Sequence, residues 1–216
     1  MIKYILLSCE RFLKTRVQWQ RDSWISTVPS TYVYLTGNIQ TDDPNVACMK
    51  TDDGYESCPK RYYQFIREND LLEDWIVFAD DDTFIFTDRL EDYLSRLNAT
   101  RSLYIGRGLT HLPIYYMSGG AGFVLSKTAY TALRHYLLET PIETVMFDRH
   151  GDVSMGLWLK KVQGLEYLNS TLFNCCTHTH NECSNMDLAI SYHYVTEDLF
   201  RLYGEINKVE HGGLGY

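Results

Sequence analysis

The stretch Trp75–Phe86, WIVFADDDTFIF, constrains the fold more than any other part of the chain. A continuous apolar run from Trp75 to Ala79 stops at Asp80-Asp81-Asp82, and apolar residues resume at Phe84. A run apolar at successive positions reads as a strand buried on both faces, the habit of parallel sheets covered by helices. Three adjacent carboxylates at its end repel one another, and an unpaired buried carboxylate is costly. Solvent, a cationic side chain or a metal ion must compensate them. In open α/β sheets ligands bind beyond the carboxyl ends of the strands. The position of the triplet is therefore more informative than its charge.

Elsewhere, apolar runs alternate with helix-period segments, the pattern of an α/β fold. The spacing predicts strands over Ile2–Ser8, Thr31–Thr36, Leu103–Gly106 and Gly122–Leu125. It predicts helices over Phe12–Ile25, Arg61–Leu72, Lys127–Leu138 and Asp152–Val162. Asp88 is placed to cap a helix running to Leu97. Gly37–Pro59 is polar and turn-rich and reads as a long surface loop. No repeat, low-complexity tract or linker divides the 216 residues, so a single domain over 1–216 is expected.

The formal net charge of -8 argues against a nucleic-acid partner. No apolar run approaches the roughly 20 residues that span a bilayer. The opening MIKYILLS is too short for a secretory signal and reads as the first core strand. Six cysteines in a chain of this length do not make a disulfide scaffold. Reduced thiols in a cytosolic compartment are expected, with a Cys48–Cys58 pair as the alternative in an exported protein. The run from Cys175 and Cys176 through His178 and His180 to Cys183 lacks the paired CxxC knuckles of a structural zinc site, so an ordinary loop is expected there. Nothing in the sequence sets an oligomeric state.

Four segments carry chemistry. Carboxylates at a strand end suit a hard divalent cation. Asp80 and Asp82 can both face the crevice while Asp81 turns aside to a lysine or a ligand hydroxyl. A solvated acidic turn is the plainer reading, but the immediate return to TFIF opposes it. Tyr116–Ser126, YMSGGAGFVLS, has three glycines in four residues, which permit positive φ and close approach of a ligand to the backbone. It matches neither a dinucleotide fingerprint nor a P-loop. Asp152 either caps the helix that follows or, facing a pocket, serves as a general base. His193, between tyrosines in ISYHYV, is either a core residue or a ligand. If it reaches the aspartates, a mixed oxygen and nitrogen site suits manganese better than magnesium.

WIVFADDDTFIFTDRLEDYL, YMSGGAGFVLSK, GDVSMG and ISYHYV occur in this order. Together with RVQWQRDSWISTVPSTYVYLTG, they resemble the Fringe and core 1 galactosyltransferase family of β1,3-glycosyltransferases. The resemblance covers about residues 3 to 203. It implies a GT-A fold in one domain, with a mixed, mostly parallel central sheet flanked by helices. It further implies that Asp80 and Asp81 face the nucleotide of a UDP-sugar. Asp82 and His193, with Asp80, would hold Mn2+, for which Mg2+ is a possible substitute. Asp152 would deprotonate the acceptor hydroxyl. Ser8, Arg16, Lys60 and the turn residues Gly119, Gly120 and Ala121 would contact the donor.

The implied reaction moves a hexose to a glycan or glycoprotein acceptor, with inversion. A retaining transferase, or a non-catalytic sugar-binding module, is the alternative. The family carries an acidic residue before the base, where this chain has Gly151. A methionine directly before the first strand points to a soluble cytosolic enzyme, of the kind a virus glycosylating its capsid in host cytoplasm would use. The alternative is a catalytic domain cut from a Golgi enzyme.

Overall fold

The computed structural model describes residues 1–28, 32–180, 182–183 and 186–212. In chain order the described elements are β1 (Ile2–Leu7), α1 (Arg16–Asp22), β2 (Tyr32–Thr36), β3 (Val46–Cys48), α2 (Cys58–Glu68), β4 (Trp75–Asp80) and β5 (Phe84–Ile85). There follow α3 (Thr87–Ser95), β6 (Leu103–Gly106), β7 (Gly108–His111), β8 (Ile114–Met117), β9 (Phe123–Ser126) and α4 (Lys127–Glu139). The last are α5 (Gly151–Leu159), β10 (Glu166–Asn169), β11 (Phe173–Asn174), β12 (Ser191–Tyr192) and α6 (Glu197–Gly212).

Seven strands form one sheet in the order β10-β6-β9-β4-β1-β2-β3. All pairs are parallel except those of β9, which runs antiparallel to β4 and β6. The expected mixed, mostly parallel sheet is present. Alternation along β4 sends Trp75, Val77 and Ala79 to one core, with Val17, Leu90, Phe200 and Tyr203 from α1, α3 and α6. Ile76 and Phe78 face the other, with Tyr62, Leu133 and Trp158 from α2, α4 and α5. Burying each such side chain contributes about 1.5–3 kcal/mol. β4 is therefore held to its last residue, and that residue is Asp80.

The strands over Leu103–Gly106 and before Ser126 and the helix from Lys127 form as expected, the last capped by Ser126, whose hydroxyl accepts from Ala129 N–H at 3.2 Å. The expected strand start at Thr31 lies outside the described residues. Other expectations need correction. The helix expected over Phe12–Ile25 is only α1, flanked by 3-10 turns at Glu10–Phe12 and Trp24–Thr27. Gly37–Pro59 contains β3 and the first two residues of α2, which starts at Cys58 with Pro59 at a position where its missing N–H costs nothing. Phe86, not Asp88, precedes α3; Asp88 lies inside its first turn.

Candidate active site

The carboxyl ends of β1 and β4 and the start of β9 share one edge of the sheet. The turn after β4 is stapled there from α1. Buried Gln20 donates from Nε2 to the carbonyls of Asp80 (3.0 Å) and Thr83 (2.9 Å), and Trp24 Nε1 donates to Thr83 O at 3.2 Å. Thr83 N–H closes the turn on Asp80 O at 3.1 Å. The three aspartates consequently diverge.

Asp81 is nearly buried and accepts from Ser8 Oγ (2.8 Å) and Arg16 Nη1 (3.0 Å). Asp82 lies 3.2 Å from Arg16 through one oxygen and 3.2 Å from His193 Nε2 through the other. The Asp80 carboxylate takes no hydrogen bond among the described residues. Asp80, Asp82 and His193 nevertheless bring one ligand atom each within 4.8 Å of one another.

The electrostatics follow this geometry. Desolvation pushes the Asp80 carboxyl up to about 7; His193 opposes it, while the charges of Asp82, Asp152 and Asp81 add to it. Desolvation also raises Asp81, against its bonds from Ser8 and Arg16. Burial alone would raise Asp82, but the hydrogen bond and charge of His193, with Arg16, hold it below the usual carboxylate range. Burial would lower His193; the hydrogen bond and charge of Asp82, the charge of Asp80 and a hydrogen bond to the Cys175 backbone raise it. The cluster is short of positive charge at Asp80.

The glycine turn braces this cluster from behind. A Cβ on Gly120 would stand 2.1 Å from the His193 ring, so only glycine lets the imidazole reach Asp82. Gly122 closes the turn at φ 77°, with its N–H on Gly119 O at 2.9 Å. Thr83 Oγ1 donates to Gly120 O at 2.8 Å and Ser191 Oγ donates to Ala121 O, joining the turn to β5 and β12. Gly119 N–H donates to Asp152 Oδ2 at 2.9 Å, and Val153 N–H to Asp152 Oδ1 at 2.8 Å. Asp152 thus sits at the first turn of α5, tied through Gly119 to the turn that backs His193.

Of the residues singled out in the sequence, Ser8, Arg16, Asp80, Asp81, Asp82 and His193 line one cavity of about 660 Å3. Gly119, Gly120 and Ala121 lie behind it, and Asp152 beside them. Lys60 is elsewhere: it is exposed and lines a separate cleft with Lys50 and Asn38. Its neighbour Arg61 faces the cavity instead, fully buried, donating to Ser8 O and Gly54 O. Sequence reading missed Arg61, Gln20 and Thr83. A helix advances 100° per residue, so one position decides which side chain of α2 looks inward.

The cysteines also depart from expectation. Cys176 and Cys183 form a disulfide, with Cα atoms 6.4 Å apart, whereas Cys48 is exposed and Cys58 buried, each unbonded. Among the described residues no helix is long and apolar enough to cross a membrane.

Residues 4–207 match the protein family described as Fringe-like. Human chondroitin sulfate synthase 3 is 23% identical over 182 residues, covering 74% of this chain and 20% of that protein. The Xenopus laevis glycoprotein-N-acetylgalactosamine 3-beta-galactosyltransferase 1 is 30% identical over 125 residues, 54% of this chain and 33% of that protein. The chain thus spans a minor part of the length of both. Among solved structures, the glycosyltransferase GlyE of Streptococcus pneumoniae TIGR4 superposes with a TM-score of 0.54 at 10% identity, over 99% of this chain and 63% of that one. That likeness, and the mixed sheet with its site at the carboxyl edge, define a GT-A fold. With nearly its whole length matched, the chain belongs to the Fringe-like family.

Proposed function

We propose that the protein is a metal-dependent hexosyltransferase that moves a sugar from a UDP-sugar to a hydroxyl of a glycan or glycoprotein. The observation that carries this reading is the convergence of Asp80, Asp82 and His193 within 4.8 Å on the wall of a cavity of about 660 Å3. Two carboxylates and an imidazole suit manganese, with magnesium as the substitute. Asp80, desolvated and without a hydrogen-bond donor among the described residues, is the group that a cation would satisfy. Bound there, the metal would supply Lewis acidity to the leaving diphosphate.

The protein's own residues do the rest. Arg16 and Ser8 fix Asp81 towards the nucleotide, and Arg61 holds the end of β1 against Gly54 to keep the wall in place. Asp152 takes the proton of the acceptor hydroxyl as its oxygen attacks the anomeric carbon from the face opposite the departing diphosphate. Each Asp152 oxygen already accepts one backbone N–H. That favours a second reading in which Asp152 only caps α5 and ties the turn, as in a retaining or non-catalytic relative. The Cys176–Cys183 bond favours an oxidising lumen over the cytosol.

The test is thermal unfolding with UDP-, GDP- and CMP-sugars, with and without manganese. Stabilisation by UDP-sugars only when manganese is present supports the reading. Indifference to every nucleotide would sink it.

A further inference from the structure

The sequence holds the triplet Asn-X-Thr twice, as Asn98-Ala99-Thr100 and Asn169-Ser170-Thr171. In a chain that enters an oxidising lumen such a triplet is an acceptor for an N-linked glycan. The fold treats the two differently. Asn98 is exposed, in the turn between α3 and β6. Its Oδ1 accepts from Thr100 N–H at 3.0 Å and from Thr100 Oγ1 at 2.8 Å, and its backbone carbonyl accepts from Arg101 N–H at 3.1 Å. The two side chains that define the triplet are thus already in contact. Oδ1 is doubly engaged, while Nδ2 donates to no group among the described residues. Every bond of this turn spans two or three residues, so the local chain can form it without the rest of the fold. A glycan added while the chain is still folding meets the same turn.

Asn169 is placed otherwise. It ends β10, and its Oδ1 accepts from Gly108 N–H at 2.9 Å, joining β10 to β7. That side chain serves a neighbouring strand and not its own triplet. Two further observations favour Asn98. β6 runs in the same direction as β4, through the antiparallel β9 between them. Asn98 precedes the start of β6, so it lies at the amino edge of the sheet, across from Asp80 at the end of β4. A glycan there leaves the cavity open. The Cys176–Cys183 bond, in turn, is of the kind made in the endoplasmic reticulum and other oxidising compartments.

We propose that Asn98 is a modification site that carries an N-linked glycan. The donor class is an oligosaccharide joined to a lipid through a diphosphate, used by a membrane-bound transferase of the lumen. Asn98 Nδ2 bonds to the anomeric carbon as the bond from that carbon to the diphosphate oxygen breaks. The lipid diphosphate leaves with the electron pair, and Nδ2 gives up one proton. Here the chain is the substrate and not the catalyst, so the inference stands apart from the UDP-sugar reading.

The experiment directs the full chain into the secretory pathway of cultured cells behind a cleavable signal. Gel mobility is compared before and after peptide-N-glycosidase, which converts a glycosylated asparagine to aspartate. Wild type, Asn98→Asp, Thr100→Ala and Asn169→Gln are followed in both lysate and medium, so a variant that fails to fold is still scored for its glycan. Aspartate keeps an oxygen for both Thr100 bonds but has no amide nitrogen, so Asn98→Asp preserves the turn while removing the acceptor. Wild type runs as a heavier band that the glycosidase collapses, and the peptide containing residue 98 then carries aspartate. Asn98→Asp and Thr100→Ala each lose the glycan at this position, and Asn169→Gln keeps it. A wild type without any glycosidase-sensitive band, or a band that Asn98→Asp leaves unchanged, overturns the site.

Discussion

Asp152 ties the first turn of α5 to the glycine turn and is the proposed base, two roles in one side chain. Its two oxygens accept from Val153 and Gly119, and each keeps a second lone pair free for a proton in transit. Asparagine at 152 keeps one acceptor and removes the charge. If Asp152 is the base, Asp152→Asn lowers turnover by about 10²–10⁴-fold, while the weakened cap removes only about 0.5–2 kcal/mol. Loss of stability with wild-type turnover would leave Asp152 as a structural tie. Gly120 makes a different kind of residue-scale argument. Its substitution by alanine drives a Cβ to 2.1 Å from the His193 ring, so either the turn or the imidazole must move. Thr83 and Ser191 pin the turn, leaving His193 to give way. Gly120→Ala should therefore abolish stabilisation by manganese. Gly119→Ala, whose Cβ meets Asp152 Cβ at 3.2 Å, should weaken it far less. Manganese-dependent melting shifts of the two variants decide this.

At the scale of elements, the site depends on α1 being locked against the β4–β5 turn. Gln20 is fully buried and donates to the carbonyls of both Asp80 and Thr83; Asp80 O also accepts from Thr83 N–H, and Thr83 O from Trp24. Gln20→Ala should cost about 1–3 kcal/mol. Gln20→Glu should cost more, because a carboxylate offers those carbonyls repulsion in place of donors. Urea unfolding orders the two; equal costs would mean that the staple is packing rather than hydrogen bonding. Nothing near Gln20 in the sequence marks this role, since its partners lie 60 or more residues away. The elements that could be read were those with a contiguous apolar run or a clean helix period, such as β4, β6, β9 and α4. The unread ones have physical reasons. β5, β11 and β12 are two residues each, too short for any periodicity. α6 buries Phe200, Tyr203 and Asn207 on one face, but a buried polar residue and Gly204 break the apolar spacing. In α2 the error was one residue of phase, Lys60 for Arg61. At the site, the triplet, Arg16 and His193 could be grouped from the sequence. Which aspartate binds Ser8 and which meets His193 needed the turn geometry.

For the whole molecule, the last crossing of the chain delivers His193, and the disulfide sits on that path. After β10 the chain pairs β11 with β12, passes through Cys176 and Cys183 and returns to β5. Cys175, next to the bonded Cys176, provides the backbone group that hydrogen-bonds His193. Such outer partners fix the orientation of a ligating imidazole, and losing one typically costs 10–100-fold in metal affinity. The disulfide closes a loop of only seven residues' separation, so the chain-entropy model gives it about 2 kcal/mol. Those two magnitudes separate two effects of reduction. If the bridge acts only on the unfolded chain, the Cys176→Ser/Cys183→Ser double variant melts earlier but binds manganese like wild type at a temperature where both are folded. If it also holds the Cys175 carbonyl in place, manganese affinity falls about tenfold under those same conditions. The second outcome is expected, because the bonded loop lies one residue from the His193 partner and His178 beside it is already anchored to Tyr203 at 2.6 Å. Isothermal titration of manganese into both proteins, well below their unfolding temperatures, distinguishes them. Unchanged affinity would show that the two faces of the sheet position His193 without help from the bridge.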